Sequence, residues 1–467
     1  MTYRNAVLNT PVKTRTENGM RTLESSLSHT TDLFFKMGAS RGKCITPEFE
    51  RAYQEDREMA LRVIQWGRDV RGGAGERNLY RQVLQFLEKN YKDDLLNTRI
   101  LENTVEIGRF DDLLVFSDAD VKAKAFGLIR EALDAGNGLA AKWMPRKGPL
   151  AVELRNTFGW SPKFYRKRLV ELTKVVEQKM CAKKWDEINF SHVPSLAMSR
   201  YSKAFYKNAK EAFTSYKKAL KSGDPEVKVN ASAVYPYDII QNVRYGDSGL
   251  ADEQWKALPN YMGDSKVLPL VDVSSSMNVL VGDSNNKITC MDVAISLGLY
   301  CSDKNTGTFK DMFLTFSSSP KFETVTGTLS QKVRQMSSAH WEMTTNLHAA
   351  FDEILRVAVY NKVPAEDMPE AVLILSDMQF DSCVGYDDTA FEMIHRKYAD
   401  AGYKKPAVVY WNLHASTGSP VRFDKKGTAL VSGFSPSIMK NVLEADFDAM
   451  SPEVIMRKAV MGDRYRL

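Results

Sequence analysis

The chain has 467 residues, of which 43% are hydrophobic and 26% charged, a globular balance with room for two or three domains. No apolar run reaches 18 residues and no signal-peptide core follows the N-terminus, so we expect neither a membrane span nor secretion. The five cysteines are scattered and odd in number, and no Cys or His spacing is typical of a zinc site. These features predict a reduced, cytoplasmic protein.

The net charge of +6 is unevenly distributed. Residues 142–221 contain 19 Lys and Arg against 6 Asp and Glu, a net charge of +13 within 80 residues. A positive field of this density attracts phosphate groups, which favours nucleic acid as a partner. A solubilising helical surface is the alternative.

Helical periodicity dominates the first half of the chain, which predicts helix after helix in a stacked, HEAT-like arrangement. Ser161 followed by Pro162 predicts the start of a helix that continues to Met180, and a second helical pattern extends from Tyr201 to Leu220. The helix from Ser161 carries basic residues opposite an apolar stripe, so its charges can contact one ligand together. From this pattern we predict RNA contacts at Lys163, Arg166, Lys167 and Lys174.

Two further segments add candidate contacts with RNA. Arg71 lies beside Gly72 and Gly73, which let a backbone approach a phosphate closely, although the segment also suits a simple joint between helices. Trp143 is flanked by Lys142 and Arg146, a combination that suits base stacking with phosphate contacts and equally suits an ordinary core. Arg109, with Asp111 and Asp112 after it, is better explained as a salt bridge at a helix joint.

The pattern changes between about 222 and 265, where glycine and proline interrupt the helices. We therefore predict a helical domain over residues 1–240, a linker over 241–265 and a second domain over 266–467. In the second domain, apolar runs of strand length alternate with helical patterns, which indicates a mostly parallel, Rossmann-like α/β sheet. The predicted strands are Val267–Val273, Met312–Phe316, Ala371–Leu375, Ala407–Trp411 and Leu430–Val431.

Oxygen-bearing side chains follow two of these strands. Asp272, Ser274 and Ser276 lie where the first strand ends, and Asp377 follows the strand at 371–375. In open α/β sheets, ligands bind beyond the carboxyl ends of the strands, where the strand order reverses. Carboxylate and hydroxyl oxygens suit Mg²⁺, Mn²⁺ or Ca²⁺, whereas helix capping or a serine-rich turn would explain each segment separately.

These segments, together with Thr345 in the sequence TTNLHAAF at 344–351, resemble a von Willebrand factor A domain. The resemblance implies a metal-ion-dependent adhesion site whose ligands are Asp272, Ser274, Ser276, Thr345 and Asp377. The usual pair of glycines before the loop threonine is replaced here by Met343 and Thr344, and Thr344 is a reserve candidate ligand. A site of this kind leaves one coordination position for a partner's carboxylate or for a phosphate.

Three segments of the first half, combined with the C-terminal A-type pattern, resemble the Ro autoantigen family, also called TROVE-type proteins, and in particular a branch seen in viruses, phages and plants. The segments are RDVRGGAGER at 68–77, IGRFDDLL at 107–114 and AKWMPR at 141–146. The resemblance implies a helical ring closed by the A domain, and binding of structured RNA or of RNA with single-stranded ends.

The sequence as a whole therefore predicts a non-enzymatic, ribonucleoprotein-type RNA-binding scaffold with one divalent cation, because no nucleophile lies beside a base. Two alternatives stay open. The cation could capture a carboxylate of a partner protein in an adhesion or assembly module, or the chain could be a viral structural or virion-associated protein.

Overall fold

The computed structural model describes residues 10–231, 234–246, 248–281, 288–339, 344–382, 390–415 and 418–467. A hairpin of β1 (Lys13–Arg15) and β2 (Arg21–Leu23) comes first, and a long helical region follows it. The helices of this region are α1 (His29–Met37), α2 (Thr46–Glu55), α3 (Arg57–Arg68), α4 (Arg77–Asn90), α5 (Lys92–Asn97), α6 (Ile100–Ile107), α7 (Ala119–Asp134), α8 (Gly138–Trp143), α9 (Pro149–Thr157), α10 (Pro162–Leu172), α11 (Val176–Cys181), α12 (Ser195–Asn208), α13 (Lys210–Ser222), α14 (Pro236–Tyr245) and α15 (Ser248–Lys256).

Helix α10 begins as predicted but ends eight residues early. The Ser161 hydroxyl accepts a hydrogen bond from the amide of Phe164 at 3.2 Å, and Pro162 occupies the first turn. Thr173 and Val175 have extended backbones, and the Thr173 hydroxyl donates to the carbonyl of Leu169 at 2.6 Å. Three β-branched residues in the segment TKVV at 173–176 disfavour helix, so the expected single helix to Met180 is wrong.

The second long helical pattern is also divided. A break at Ala209 separates α12 from α13, so the expected helix from Tyr201 to Leu220 is two helices. Both keep their apolar face against a separate small core that includes Phe205 and Phe213. The apolar periodicity was therefore correct, although the continuity of the helix was not.

The C-terminal region is a six-stranded sheet with helices between its strands. Its elements are β3 (Val267–Val271), α16 (Cys290–Lys304), β4 (Met312–Thr315), β5 (Phe322–Thr324), α17 (Leu329–Ser337), α18 (Leu347–Asn361), β6 (Ala371–Ser376), α19 (Ala390–Asp400), β7 (Ala407–Asn412), β8 (Thr428–Ser432), α20 (Ile438–Leu443) and α21 (Pro452–Val460). The strand order is β5-β4-β3-β6-β7-β8, and β5 alone pairs antiparallel. The predicted α/β class with a mostly parallel sheet is confirmed among the described residues.

The strand order reverses between β3 and β6. From β3 the chain moves to β4 on one side, and β6 then returns to pair with β3 on its other side, with Val271 opposite Leu375. Every residue of β3 and β6 is buried, as expected for strands covered on both faces. The carboxyl ends of these two strands therefore flank the crevice at which open α/β sheets bind ligands.

The helical region and the sheet are packed together, and the chain crosses between them at both ends. Helix α1 packs against β8, and Gly38 lies so close to Gly433 that a Cβ there would be 2.5 Å from its backbone. The C-terminal residues, in turn, contact the helical region. Helix α21 packs against α3, and Asp69, which follows α3, accepts hydrogen bonds from Arg464 and Tyr465. Residues 10–40, predicted as part of the helical domain, therefore pack against the sheet region.

The segment 241–265 is not a linker. It contains the end of α14 and all of α15, and α14 packs against α16. The Trp255 indole donates to Asp303 at 2.8 Å, and the Arg244 guanidinium pairs with Asp292 at 2.6 Å. Of the glycines in this stretch, Gly246 ends α14, Gly249 lies within α15, and Gly263 lies in the turn before β3 with φ +53°. Of the helices that the structure describes, none has the length and apolar character needed to cross a membrane.

Candidate metal centre and nucleic-acid interface

The candidate metal centre lies at the carboxyl ends of β3 and β6. Asp272 directly follows β3, and its amide donates to the carbonyl of Leu375 at 3.0 Å, continuing the β3–β6 pairing. Asp377 directly follows β6. Both aspartates are buried, with exposed fractions of 0% and 3%. The parallel pairing therefore brings two carboxylates, 105 residues apart in sequence, to the same end of the sheet.

Among the described residues, the hydrogen-bond donors to the Asp272 carboxylate are neutral. Its Oδ1 accepts from the amide of Ser274 at 2.9 Å, and its Oδ2 accepts from the hydroxyl of Ser376 at 2.5 Å. Burial, and then the charge of Asp377, raise the pKa of Asp272. The fold thus holds this carboxylate where its negative charge is costly unless a cation compensates it.

Ser274 and Ser276 complete the inner part of the group. Their hydroxyl oxygens are 3.0 Å apart. Burial raises the pKa of Asp377, while hydrogen bonds from the Gln379 amide and the Ser276 hydroxyl act in the opposite direction. The alternation of Asp272, Ser274 and Ser276 at a turning strand end therefore places three oxygen-bearing side chains beside Asp377.

Thr345 joins this group through Gln379. Its hydroxyl donates to the Gln379 carbonyl at 2.9 Å, and the Gln379 amide donates to Asp377 at 3.1 Å. The tip of the N-terminal hairpin covers this side, because the Asn18 amide group donates to Thr345 Oγ1 at 3.2 Å and to the Gln379 carbonyl at 2.7 Å. The predicted threonine is therefore adjacent to the four inner residues and is held by a segment that the sequence did not suggest.

The reserve candidate, Thr344, has a buried hydroxyl with no hydrogen-bond partner among the described residues. Met343, the other residue in place of the usual glycine pair, lies outside the described residues. A buried hydroxyl without a partner is uncommon in proteins, and a ligand or water would supply one. Thr344 therefore stays a candidate contact alongside Thr345.

The donor set fits a hard divalent cation. Within the described ranges, no group of three or more His, Cys, Asp or Glu residues is placed to hold a metal, so a zinc-type cluster does not arise there. Two carboxylates offset a charge of +2, and serine hydroxyls add oxygen ligands without adding charge. Cys290 lies nearby, but burial raises the pKa of its thiol to about 12, which keeps it protonated. Mg²⁺, Mn²⁺ and Ca²⁺ match this chemistry.

The predicted basic contacts are accessible on the helical region. Lys163, Arg166 and Lys167 are exposed on α10, whereas Lys174 is exposed in the connection after it. In the part of the chain that the structure describes, no carboxylate forms an ion pair with any of these four side chains. A cationic surface without neutralising partners is what a phosphate backbone requires. Arg71 and Arg146 are also exposed, and Arg146 donates to the Thr173 hydroxyl at 3.1 Å.

An exposed aromatic ring on the same helix was not predicted. Phe164 is 50% exposed between Lys163 and the other basic residues of α10, with its ring 5.0 Å from that of Trp160. An exposed aromatic ring beside cations suits base stacking. The signal in the sequence was an aromatic residue on the polar side of the helix. Tyr165, by contrast, is buried and donates to the carbonyl of Pro145 at 2.9 Å.

Trp143 is already stacked within the protein. The guanidinium carbon of Arg109 lies 3.3 Å from the centre of the Trp143 ring, and Lys142 Nζ is 5.1 Å from the same centre. Arg109 also forms a two-point pair with Asp111 at 2.8 and 2.6 Å, which confirms the predicted salt bridge at a helix joint. One face of Trp143 is thus occupied, so base stacking there is limited to the other face.

The glycine-rich segment at 68–77 is a joint between α3 and α4. A Cβ on Gly73 would lie 1.8 Å from the carbonyl oxygen of Trp66, so only glycine fits. Glu76 pairs with Arg41 at 2.6 Å. The neighbours Arg68 and Asp69 do not pair with each other: Arg68 is buried against Asp112 at 2.7 Å, while Asp69 binds Arg464 and Tyr465.

Comparisons with known proteins divide the chain at the same place as the fold. Residues 266–463 match a family described as a domain of unknown function, DUF7788, and residues 16–116 and 160–268 match another domain of unknown function, DUF2828. An uncharacterized protein of Acanthamoeba polyphaga mimivirus is 29% identical over an alignment of 503 residues, which covers 93% of this chain and 86% of the relative. The similarity to this viral protein therefore extends over almost the whole length of the chain, across both matched regions.

Proposed function

We propose that the protein is a non-enzymatic RNA-binding scaffold that also holds one divalent cation at the β3–β6 edge of its sheet. The metal part of the proposal is supported by Asp272, whose fully buried carboxylate accepts hydrogen bonds from neutral donors among the described residues and lies near a second buried carboxylate. In this proposal Asp272, Ser274, Ser276 and Asp377 would hold Mg²⁺, Mn²⁺ or Ca²⁺. Thr345, linked to Asp377 through Gln379, would be the fifth ligand, directly or through water.

The resemblance to a von Willebrand factor A domain agrees with this arrangement. The parallel pairing of β3 with β6 at the reversal of strand order supports a shared site for Asp272 and Asp377, which follow these two strands. Two carboxylates and neutral hydroxyls leave the cation with an open coordination position. When bound, the cation would supply a Lewis-acidic anchor for a carboxylate or phosphate of a partner.

The single observation that carries the RNA part is the set of four exposed basic side chains, Lys163, Arg166, Lys167 and Lys174, without carboxylate partners in the described chain. Phe164 adds an exposed ring to the same surface. A similarity to Ro-type proteins over the helical motifs and the sheet favours RNA with a structured body and a free end. No base-reading pattern is evident, so recognition is expected to depend on shape and backbone.

RNA binding can be tested with a charge-reversal variant in which Lys163, Arg166 and Lys167 are replaced by Glu. We expect wild-type protein to bind a structured RNA with a free 3′ end in fluorescence anisotropy, with log K falling steeply as log[salt] rises. Each lost phosphate contact reduces this slope by roughly 0.7 to 0.9, so the variant should lose most of its affinity and about two units of slope.

A matched control replaces three exposed lysines elsewhere, Lys89, Lys321 and Lys426, with Glu, because it changes the net charge equally. It should retain most of the affinity. Absence of RNA binding by the wild type at low salt would contradict the proposal. Equal losses of RNA affinity in the α10 variant and the control would show that binding depends on net charge and not on the α10 surface.

A second candidate function is cation-dependent capture of a protein carboxylate, as in adhesion and assembly modules. The viral origin of the relative favours this candidate, because it allows a structural or virion-associated role. Pull-down of a protein partner that is lost on chelation and unaffected by nuclease would favour it over RNA binding.

A further inference from the structure

The three motifs of the helical region meet at one cluster of arginines. Arg77 begins α4 and Arg81 lies one turn later on the same helix. Arg109 precedes the short 3₁₀ helix Phe110–Leu114, and Trp143 ends α8, which packs against that 3₁₀ helix. Segments about 30 residues apart in sequence thus bring charged and aromatic side chains together. We call the group of Arg68, Arg77, Arg81 and Arg109 the arginine cluster.

The arginine cluster has more positive charge than its carboxylates offset. Asp112, fully buried, accepts from Arg68 at 2.8 Å and from Arg81 at 2.6 Å. Asp111 accepts from Arg109 at 2.6 Å and pairs with Arg81 at 2.8 Å. Two carboxylates are thereby shared among three arginines.

Arg77 is the fourth arginine of this cluster and, among the described residues, the one that forms no ion pair with a carboxylate, although Asp111 and Asp112 are near enough to act on its charge. Its Nε is buried and has no hydrogen-bond partner within the described ranges. Burial, followed by the charges of Arg109 and Arg81, lowers the pKa of Arg77. A buried donor without an acceptor is destabilising, and like charges near it add to that cost. Among the described residues, the fold therefore leaves the Nε–H of Arg77 without an acceptor.

We infer that the arginine cluster is a phosphate-binding site, with Arg77 as its principal contact and Arg81 and Arg109 beside it. A phosphate has several strong acceptor oxygens, which match guanidinium forks in both geometry and charge. Arg109, held flat by Trp143 on one side and by Asp111 on its edge, is fixed before the anion arrives. Lys142 adds a further positive charge over the Trp143 ring.

The source of the phosphate that fits best is the RNA backbone, and to that extent the inference rests on the proposed function. Helix α8, which carries Lys142 and Trp143, packs against α10, which carries Lys163, Arg166 and Lys167. A strand bound along α10 thus has the arginine cluster as its next cationic contact. Free phosphate would have the same chemistry, so the experiment must distinguish these two sources.

The test replaces Arg77 with Gln, which removes the charge, and separately with Lys, which keeps the charge but loses the fork. The control is Arg51→Gln on α2, whose side chain is 53% exposed. Because Arg77 forms no ion pair with a carboxylate among the described residues, we expect Arg77→Gln to melt at or above the wild-type temperature. We expect its RNA affinity to fall about tenfold at low salt, with a decrease in salt slope of roughly 0.7 to 0.9.

The readings are anisotropy of a structured RNA and calorimetric titration with inorganic phosphate at the same ionic strength. A smaller salt slope in Arg77→Gln that is partly restored in Arg77→Lys supports the inference, provided that Arg51→Gln keeps the wild-type slope. If wild-type protein binds RNA and Arg77→Gln binds it with unchanged slope, the inference is overturned while RNA binding stands.

If wild-type protein binds no RNA, the proposed function fails. Binding of inorganic phosphate by wild type, lost in Arg77→Gln, would then still support the arginine cluster as a site for free phosphate. Binding of neither RNA nor phosphate overturns both.

Discussion

Replacing Asp112 with Ala should destabilise the protein strongly, because Asp112 is the carboxylate on which the interior of the helical region depends. Its side chain is fully buried and accepts hydrogen bonds from Arg68, from Arg81 and from the amide of Arg109. The Arg68 side chain is only 1% exposed, so the variant leaves a buried guanidinium without its partner. Removing one partner of a buried ion pair costs about 3–5 kcal/mol.

The measurement is urea denaturation followed by circular dichroism, with Asp134→Ala as the control. Asp134 pairs with Arg130 on the surface of α7, with exposed fractions of 52% and 38%. Surface pairs of this kind contribute less than about 1 kcal/mol. A variant in which Arg68→Met accompanies Asp112→Ala should recover part of the loss, because it removes the stranded charge. A loss in Asp112→Ala no larger than that in Asp134→Ala would refute the reasoning.

Mg²⁺ should raise the melting temperature of wild-type protein but not that of Asp272→Ala. Ser275→Ala is the control, because Ser275 is exposed, and its melting temperature should rise as in wild type. Equal shifts in all three proteins would contradict the metal site. Without a cation, the pKa of Asp272 is higher in the folded protein than in the unfolded chain. Between these two pKa values the folded protein keeps a proton on Asp272 that the unfolded chain has lost. The free energy of unfolding should therefore fall as pH rises through this range. Mg²⁺ should oppose that fall, which urea denaturation at pH 5 and pH 8 with and without Mg²⁺ would measure; a larger Mg²⁺ effect at pH 5 would count against the assignment. Gly73→Ala should destabilise the protein markedly, because the new Cβ would overlap the Trp66 carbonyl. Gly127→Ala, in open space within α7, should instead stabilise it by about 0.5–1 kcal/mol. Similar melting temperatures for the two variants would show that the joint between α3 and α4 adapts to the added Cβ.

The sequence predicted most of the sheet because its strands are apolar on both faces. β3, β6 and β7 are buried throughout, and their runs of Val, Leu, Ile and Ala stand out from the helical patterns around them. The three-residue strand β5 was missed because its half-exposed FET sequence has no such contrast. The same holds for the polar hairpin of β1 and β2.

Much of the candidate metal centre was also accessible from sequence, because two strand ends carry its carboxylates. Asn18, which donates to Thr345, was not, since hydrogen bonds between residues 327 positions apart leave no local pattern. The pairing of Asp69 with Arg464, 395 positions apart, was hidden for the same reason. Sequence patterns identified the charged residues here without identifying their partners.

The contacts between the two ends of the chain constrain the order of events during synthesis. Helix α1 leaves the ribosome early, but β8 and α21, against which it packs, are made roughly four hundred residues later. The buried α1 residue Phe35 belongs to the same core as Leu430 of β8. At translation rates of about 5–20 residues per second, the apolar face of α1 that packs on β8 and α21 stays exposed for some tens of seconds. Chaperone capture of nascent chains is the expected result, and a fragment cut near residue 266 should precipitate unless its other half is co-expressed.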